Sequence, residues 1–235
     1  AYAVAFNRDG SRLAAAVGSR GVVWDMRSFQ VLNNLDAHTD FVTSVAWSPQ
    51  GGLASGGDDQ RVILWDLDNA SPLFIFRQQV SPVKAIAWFP DGSRLASASR
   101  DGTIDIIDTR SGRLAARPLQ NEAKDSFLSL AVSQDGSLIA GGTETGQVLL
   151  WDARSLEPTG SIQFHIRDVT SLAFTPHRGQ TLLASGSVDN SVGMFEIVTQ
   201  QPLGTQAASG LGALFTVALD AQSEYGGAGR LDLPA

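Results

Sequence analysis

The sequence predicts an all-β protein that is built from a repeated, four-stranded antiparallel unit. One column of the repeat pairs an alanine with an aromatic or apolar residue and begins at Ala5, Ala46, Ala87, Ala131 and Ala173. A second column recurs at steps of 41 to 44 residues and reads Trp24-Asp25, Trp65-Asp66, Ile107-Asp108, Trp151-Asp152 and Phe195-Glu196. Regular spacing in independent columns is the sequence signature of a repeat architecture.

Each unit contains four short strands. In the most regular unit they are the segments VTSVAWSP, LASGG, VILWDL and LFIFR, which are rich in β-branched or aromatic residues and lie between polar or glycine-rich links. A third column gives turn signals, which are Asp9-Gly10, Gln50-Gly51, Asp91-Gly92, Asp135-Gly136 and Arg178-Gly179. Three of the four segments are apolar on both sides of the alternation, so both faces of each sheet must be covered. Sheets that stack on neighbouring sheets around an axis meet this requirement.

These units resemble WD repeats, and the pattern covers about residues 3–220. The unit VTSVAWSPQGGLASGGDDQRVILWDLDNASPLFIF is close to the family consensus. The resemblance implies a β-propeller in which the first strand of each four-stranded antiparallel blade lines the central channel. We predict one domain over residues 1–235, with complete blades near 3–41, 42–82, 83–126, 127–168 and 169–212 and a partial sixth blade over 213–235. We expect an unclosed ring and a fragment of a longer protein, and the preference for Ala, and for Arg over Lys, favours a bacterial source.

WD repeats commonly carry a buried, hydrogen-bonded tetrad of His, Ser or Thr, Asp and Trp. The resemblance places a complete tetrad in the second unit, with the members His38, Ser55, Asp59 and Trp65. The fifth unit has Phe195 in place of the tryptophan and otherwise keeps His165, Ser185 and Asp189. The third unit keeps only Ser97 and Asp101, and the corresponding places elsewhere are Ala14 with Gly18 and Gly141 with Thr145. The incomplete units must therefore depend more on packing, because an unpaired buried polar group costs about 1–3 kcal/mol.

Composition argues against several classes of partner. The formal net charge is −7 and the basic residues are scattered, which disfavours nucleic acid. The chain has no cysteine, so it holds no disulfide and no thiolate metal site. No stretch approaches 18 consecutive apolar residues, so no membrane span is expected. We predict a cytoplasmic protein that binds neither nucleic acid nor membrane.

No catalytic constellation is visible in the sequence. The tetrad explains His38 and His165, and a carboxylate repeated at one structural place, as at Asp25 and Asp66, is typical of a turn or cap. The glycine-rich stretches lack the ending and the context of a phosphate loop, and no nucleophile motif occurs. We predict no enzyme, no metal and no cofactor. The alternative is a propeller hydrolase or lyase with a metal bound in its channel, although first strands such as AVAF and SVAW are apolar or small.

The remaining candidate site is a surface. In the WD-repeat family, partners commonly bind the narrower face, which is formed by the loop before strand one and the turn between strands two and three. Alignment puts Ser126 and Val188 at this face, together with the candidate partner-binding residues Phe41, Asp58, Pro82, Arg100, Glu144 and Asp168. Aromatic residues and Arg are enriched in binding hot spots, although isolated exposed apolar residues are also ordinary. We predict a protein-binding scaffold or regulatory module whose partner is another protein or another domain of the parent chain.

Overall fold

The described part of the chain is built from β-strands, turns and loops, arranged in five antiparallel sheets. The structure is a computed structural model, and it describes residues 3–177 and 180–207. Strands β1 to β21 follow one another in chain order, and each sheet is a meander of consecutive strands. This arrangement confirms the all-β fold of antiparallel, four-stranded units that the repeat predicts.

The sheets follow the order of the repeats. The first contains β1 (Val4–Phe6), β2 (Arg12–Val17), β3 (Arg20–Asp25) and β4 (Val31–Leu35). The second contains β5 (Val42–Trp47), β6 (Leu53–Gly57), β7 (Val62–Asp66) and β8 (Ser71–Phe76). The fourth contains β14 (Phe127–Val132), β15 (Leu138–Thr143), β16 (Gln147–Asp152) and β17 (Pro158–Gln163), and the fifth β18 (Val169–His177), β19 (Gln180–Ser187), β20 (Ser191–Glu196) and β21 (Gln201–Ala207).

The third sheet departs from the regular pattern at its outer strand. It contains β9 (Val83–Trp88), β10 (Arg94–Ser99) and β11 (Thr103–Asp108), followed by two short pieces, β12 (Arg113–Leu114) and β13 (Leu119–Gln120). Both pieces pair with β11, one at each end. The unit is longer than its neighbours here and carries Pro118, whose missing N–H cannot join a ladder. The expected single outer strand is therefore split.

Apolar layers fill the spaces between successive sheets. Val23 and Leu35 of the first sheet pack with Ile63 and Trp65 of the second. The second and third sheets share a layer that includes Leu64 and Ile107, and two further layers join the third to the fourth sheet and the fourth to the fifth. Each middle sheet is thus covered on both faces, as its apolar strands require.

The first strands of successive sheets lie beside one another. Strand β5 contacts β1 and β9, and β14 contacts β9 and β18. Two tryptophans tie these strands together, because the indole of Trp47 donates to the carbonyl of Ala5 and that of Trp88 to the carbonyl of Ala46, both at 3.0 Å. The sequence column shows these aromatic residues but not their role as donors between sheets.

The repeated acid at the end of the third strand caps the following turn. The Asp25 carboxylate accepts from the backbone N–H and hydroxyl of Ser28, at 2.7 and 2.9 Å. Asp152 does the same with Ser155, at 2.7 and 3.0 Å. These hydrogen bonds lower the pKa of both carboxyls below its usual value. The predicted turn role of this column is confirmed.

The turn at Gly51 has a φ of 90°, which agrees with the expected hairpin between the first two strands of a unit. The Arg178-Gly179 turn lies outside the described residues. So do the end of the predicted fifth blade, 208–212, and the predicted partial sixth, 213–235. The division into one domain and its blade boundaries therefore stays a prediction.

Candidate functional site

In the second sheet, the four predicted tetrad residues form one continuous hydrogen-bonded network. The Trp65 indole donates to the Ser55 hydroxyl at 2.8 Å, and that hydroxyl lies 2.7 Å from Nε2 of His38. The other ring nitrogen, Nδ1, lies 2.9 Å from a carboxylate oxygen of Asp59. The second oxygen of Asp59 accepts the backbone N–H of Thr39 at 2.9 Å. The network therefore ties the loop before β5 to the strands beneath it.

The partners of His38 fix its protonation. Asp59 can only accept, so Nδ1 carries the hydrogen, and a neutral ring then accepts the Ser55 O–H at Nε2. Burial lowers the pKa of His38 below its usual 6.5, although the hydrogen bond and the charge of Asp59 act in the opposite direction. In this neutral form, every polar side-chain atom along the path from Trp65 to Asp59 has a partner.

The fifth sheet keeps this arrangement with a serine relay. His165 Nε2 lies 2.7 Å from the Ser185 hydroxyl, while Nδ1 lies 3.3 Å from both oxygens of Asp189 and only 2.8 Å from the hydroxyl of Ser191. Ser191 in turn donates to Asp189 at 2.5 Å. Burial acts to raise the pKa of Asp189, but hydrogen bonds from Ser191 and the N–H of Ile166 lower it below its usual value. Ser191 was not predicted from the sequence, although the spacing Asp-x-Ser could have suggested its role.

Aromatic packing replaces the missing indole of the fifth sheet. The Phe195 ring lies 5.4 Å from that of Phe164, and the Phe164 ring lies 4.8 Å from the imidazole of His165, both edge to face. Gly193 makes room for this cluster, because a Cβ there would lie 2.5 Å from Phe195 and 2.9 Å from Phe164. Phenylalanine at this place is thus supported by a neighbouring ring.

The third sheet has a glutamine where the second and fifth have histidine. The Gln79 amide donates to the Ser97 hydroxyl at 3.0 Å, so a residue outside the tetrad consensus takes the place of the histidine beside Ser97. Gln79 is 4% exposed, and its Oε1 has no hydrogen-bond partner within the described residues. Asp101 accepts instead from the backbone N–H and hydroxyl of Thr103, at 3.0 and 2.6 Å.

The fourth sheet uses packing where the second uses hydrogen bonds. A Cβ at Gly141 would lie 2.7 Å from the ring of Phe127, which fills the space of the missing serine. In this sheet the acid that holds the loop lies on the loop itself and not on the hairpin. Asp125 on the loop accepts hydrogen bonds from the hydroxyl and the N–H of Thr145 on the hairpin.

A second fastening joins the loop and the hairpin in each of sheets two to five. The backbone N–H of a hairpin residue donates to the carbonyl of a loop residue, at 2.8 to 3.1 Å. The donor and acceptor pairs are Asp58 with Phe41, Arg100 with Pro82, Glu144 with Ser126, and Val188 with Asp168. The two predicted loop columns therefore lie side by side at one end of the strands.

The candidate partner-binding residues differ in exposure. Phe41, Arg100 and Glu144 are exposed, whereas Asp58, Pro82 and Asp168 are half-buried. The Asp58 carboxylate pairs at 2.5 Å with the ammonium of Lys84, which belongs to the next sheet. Two apolar residues of these loops are more exposed but were not predicted as contact residues, namely Val80 at 75% and Ile166 at 83% exposure. Each directly follows the histidine or glutamine of its loop, and a simple column count could have found both.

Comparison with known proteins places the whole arrangement in a family. A family model described as "IFT122 first beta-propeller" matches residues 1–225. The chain belongs to this family of β-propellers. The five described sheets are accordingly its blades, numbered one to five in chain order, and the resemblance to WD repeats is confirmed.

Three relatives of the propeller show how far the similarity extends. The periodic tryptophan protein 2 homolog of Dictyostelium discoideum is 31% identical over 202 residues, which cover 82% of the propeller and 21% of that protein. WD repeat-containing protein 55 of Homo sapiens is 29% identical over 106 residues, 45% of the propeller and 27% of that protein. Protein transport protein sec13 of Aspergillus clavatus is 29% identical over 118 residues, 45% of the propeller and 40% of that protein. The chain thus spans about a fifth to two fifths of these relatives.

Membership in a WD-repeat propeller family fits a protein-interaction scaffold, and such families are generally not catalytic. Over residues 3–177 and 180–207, no three His, Cys, Asp or Glu side chains gather in a group that could hold a metal ion. No helix within these ranges is long and apolar enough to cross a membrane.

Proposed function

We propose that this propeller is a scaffold that binds another protein, or another domain of its own parent chain, through the loop face. We define the loop face as the loops before β5, β9, β14 and β18 together with the hairpins that follow β6, β10, β15 and β19. Its candidate contact residues are Phe41, Asp58, Pro82, Arg100, Glu144 and Asp168, to which the exposed Val80 and Ile166 are added. We keep the cytoplasm as the expected location and expect no nucleic-acid or membrane partner.

The observation that carries this proposal is the double fastening of the loops. In blades two and five a buried histidine network holds the loop from below, and in blades two to five a backbone hydrogen bond joins each loop to its hairpin. Loops fixed in this way lose little conformational entropy when a partner binds. The rigid backbone then presents exposed side chains outward, which is the arrangement of a preformed binding surface.

The side chains of the loop face suit a mixed interface. Phe41 is 48% exposed, and Val80, on the next loop, and Ile166, on the loop before β18, are exposed apolar residues of the same face. Arg100 and Glu144 lie on the hairpins and are exposed. Aromatic and Arg anchors surrounded by polar groups are typical of binding hot spots. The partner we expect is therefore a folded domain or a segment that offers both apolar and charged groups.

Site-specific photo-crosslinking in the full-length parent protein tests the proposal. A photo-reactive amino acid is placed at Phe41 or Ile166 on the loop face, and at Asp68 or Arg154 on the hairpins at the opposite ends of the strands as matched exposed controls. We expect one discrete adduct from the loop-face positions only. Adducts of equal yield from both faces, or from the control face alone, would contradict the proposal.

Substitution of the same face gives a quantitative test on the partner so identified. We expect the combined change Phe41→Ala, Arg100→Ala and Glu144→Ala to weaken binding by at least about tenfold, because hot-spot residues each contribute about 2 kcal/mol or more. The combined change Asp68→Ala, Arg110→Ala and Arg154→Ala should leave the affinity unchanged.

The alternative, a propeller hydrolase or lyase with a metal in its channel, is tested by metal analysis of the purified protein and by a screen for hydrolysis of lactones and esters. A stoichiometric divalent ion together with hydrolysis would contradict the scaffold proposal and support the enzyme.

A further inference from the structure

Blade three contains a carboxyl group at a place where an apolar side chain is the rule. Asp105 lies in β11 opposite Ser97 of β10 and is 3% exposed. In the other four blades, the position of Asp105 is occupied by Val23, Ile63, Leu149 and Gly193. Nothing in the loop face or in the tetrad columns accounts for an acid here.

The position of Asp105 in the strand turns it toward blade two. Its neighbours Ile104 and Ile106 pack on blade four, whereas Ile107 packs on blade two, and residues two apart share a face. The layer that blade two offers on this side is apolar and consists of Ala54, Val62, Leu64 and Phe76. The cation on β9, Lys84, is engaged by Asp58 at 2.5 Å. Asp105 thus lies at the contact between blades two and three, and among the described residues no cation is within ion-pair distance of it or lowers its pKa.

Both the burial and the surroundings of Asp105 favour its protonated form. Burial, and after it the negative charge of Asp101, raise the pKa of Asp105 from 3.8 to about 6. No hydrogen bond opposes this shift, because none reaches the carboxyl from the part of the chain that the structure describes. A carboxylate in this place would be a buried charge without a donor, which is strongly unfavourable.

Two further features distinguish this part of blade three, namely an amide oxygen without a hydrogen-bond donor among the described residues and a break in the outer strand that pairs with β11. Oε1 of Gln79, on the amide that bonds Ser97, is a buried acceptor without a hydrogen-bond partner in the part of the chain that the structure describes. The outer strand is interrupted at Asp105, because β13 pairs with β11 at Thr103 and Ile104, whereas β12 pairs with it at Ile107 and Asp108. The backbone N–H of Ala115, which follows β12, also donates to the carbonyl of Ile106 at 2.7 Å. The break in the outer strand therefore lies beside the buried acid.

We propose that Asp105 is a proton-operated lock on the contact between blades two and three. The carboxylic acid keeps the contact closed, and ionisation of the acid loosens it. The loosening reaches the loop face through Gln79, which bonds Ser97, and through the hydroxyl of Ser99, which donates to the carbonyl of Ser81 at 3.2 Å. The presentation of the loop that carries Val80 and Pro82 thereby depends on pH.

The direction of the pH effect follows from the raised pKa. The folded protein holds the proton more tightly than the unfolded chain, so the contact is most stable below about pH 4, where both states are protonated. Stability falls as the pH rises to about 6 and remains at the lower level above that value. The displacement of the pKa corresponds to a change of about a hundredfold in the unfolding equilibrium constant.

The test compares denaturant unfolding of the wild type and Asp105→Asn between pH 4 and 8. We expect the ratio of the wild-type unfolding constant to that of Asp105→Asn to rise about a hundredfold up to about pH 6.5 and then to level off. Asp108→Asn, on the same strand, is the matched control. Hydrogen bonds from Ser111 lower the pKa of Asp108, so its contribution is complete above the usual value of 3.8 and its ratio should stay level from about pH 5 to 8.

A local measurement accompanies the global one and also covers the case in which Asp105→Asn does not fold. Hydrogen exchange of the wild type, corrected for the intrinsic rate, should show protection of β11 and of residues 77–82 falling between pH 5 and 8, while β16 remains protected. Asp101→Asn removes the repelling charge and lowers the pKa of Asp105. The loss of protection should then be smaller and be complete at a lower pH, so β11 should keep more protection at pH 6 and above than in the wild type. A flat ratio in the unfolding experiment, or equal protection of β11 at pH 5 and 8, would overturn the proposal.

Discussion

Blades two and three are neighbours with the same strand plan, and they treat their buried polar groups in opposite ways. In blade two, the donors of Trp65 and His38 meet the acceptors of Ser55 and Asp59. Blade three has Ile107 in the tryptophan column, and Gln79 before its first strand. The indole donor is lost, and Oε1 of Gln79 is buried without a hydrogen-bond partner among the described residues. Asp105 is buried as well, and no hydrogen bond from the described residues lowers the pKa of its carboxyl.

The difference teaches that the tetrad is a balance of donors and acceptors, in which no member stabilises by itself. A buried hydrogen bond contributes about 1 kcal/mol net, whereas a buried group left without its partner costs about 1–3 kcal/mol. Blade five shows an intermediate solution, since Ser191 relays the bond to Asp189 and Phe164 packs where the indole is missing. Blade three shows what remains when no such replacement is present.

The largest effect that we expect from breaking the balance is in His38→Ala. The change leaves the hydroxyl of Ser55 and the carboxylate of Asp59 buried with fewer partners, so the free energy of unfolding should fall by about 2–4 kcal/mol. Denaturant unfolding measures it. A loss below about 1 kcal/mol would show that the network is not a unit.

A smaller loss is expected in Trp65→Phe. The aromatic ring remains and only the bond to Ser55 is removed, so the free energy of unfolding should fall by about 1–2 kcal/mol. Phe195 already occupies this column in blade five, where Phe164 supports it. The same unfolding experiment decides the order, and Trp65→Phe must not be the more damaging of the two changes.

The smallest effect is expected in Gln79→Ala, which is the counterpart of His38→Ala in blade three. The change removes the bond to Ser97 but also removes the buried Oε1 that has no partner, and the two contributions offset each other. The free energy of unfolding should change by less than about 1 kcal/mol. A loss as large as that of His38→Ala would mean that the two blades do not differ as described.

Much of the fold could be predicted because three sequence columns repeat at regular spacing. The spacing predicts the four-stranded units, and apolar residues on both sides of the strands predict sheets that are covered on both faces. The split strand of blade three was not predicted, because the extra residues around Pro118 lengthen the unit without marking where pairing stops. The spacing of the repeat predicts where each strand lies in a blade, but it does not show where the hydrogen bonds between two strands are interrupted.

The candidate site was predictable only where a residue type implies one partner. The consensus column identified His38 and Ser55, whereas Gln79 was overlooked because glutamine is not a consensus member. Asp105 gave no signal either, because an acid in a strand usually faces solvent, and only the packing of blade two shows that this one is buried. Which residues touch a partner stays a prediction.

The most direct test of the contrast between the two blades is the pH dependence of stability in His38→Gln and Asp105→Asn. Burial lowers the pKa of His38, so its contribution is fully present above the usual value of 6.5 and is lost as the pH falls through the lowered pKa. Asp105 has a raised pKa, so its contribution is present below about pH 4 and is lost, by about 3 kcal/mol, as the pH rises to about 6.

The quantity to plot is the free energy of unfolding of the wild type minus that of each variant, between pH 4 and 8. We predict that this difference rises with pH for His38→Gln and falls with pH for Asp105→Asn. Curves that slope in the same direction, or that are both flat, would contradict the claim that blade two has a balanced polar network and blade three does not.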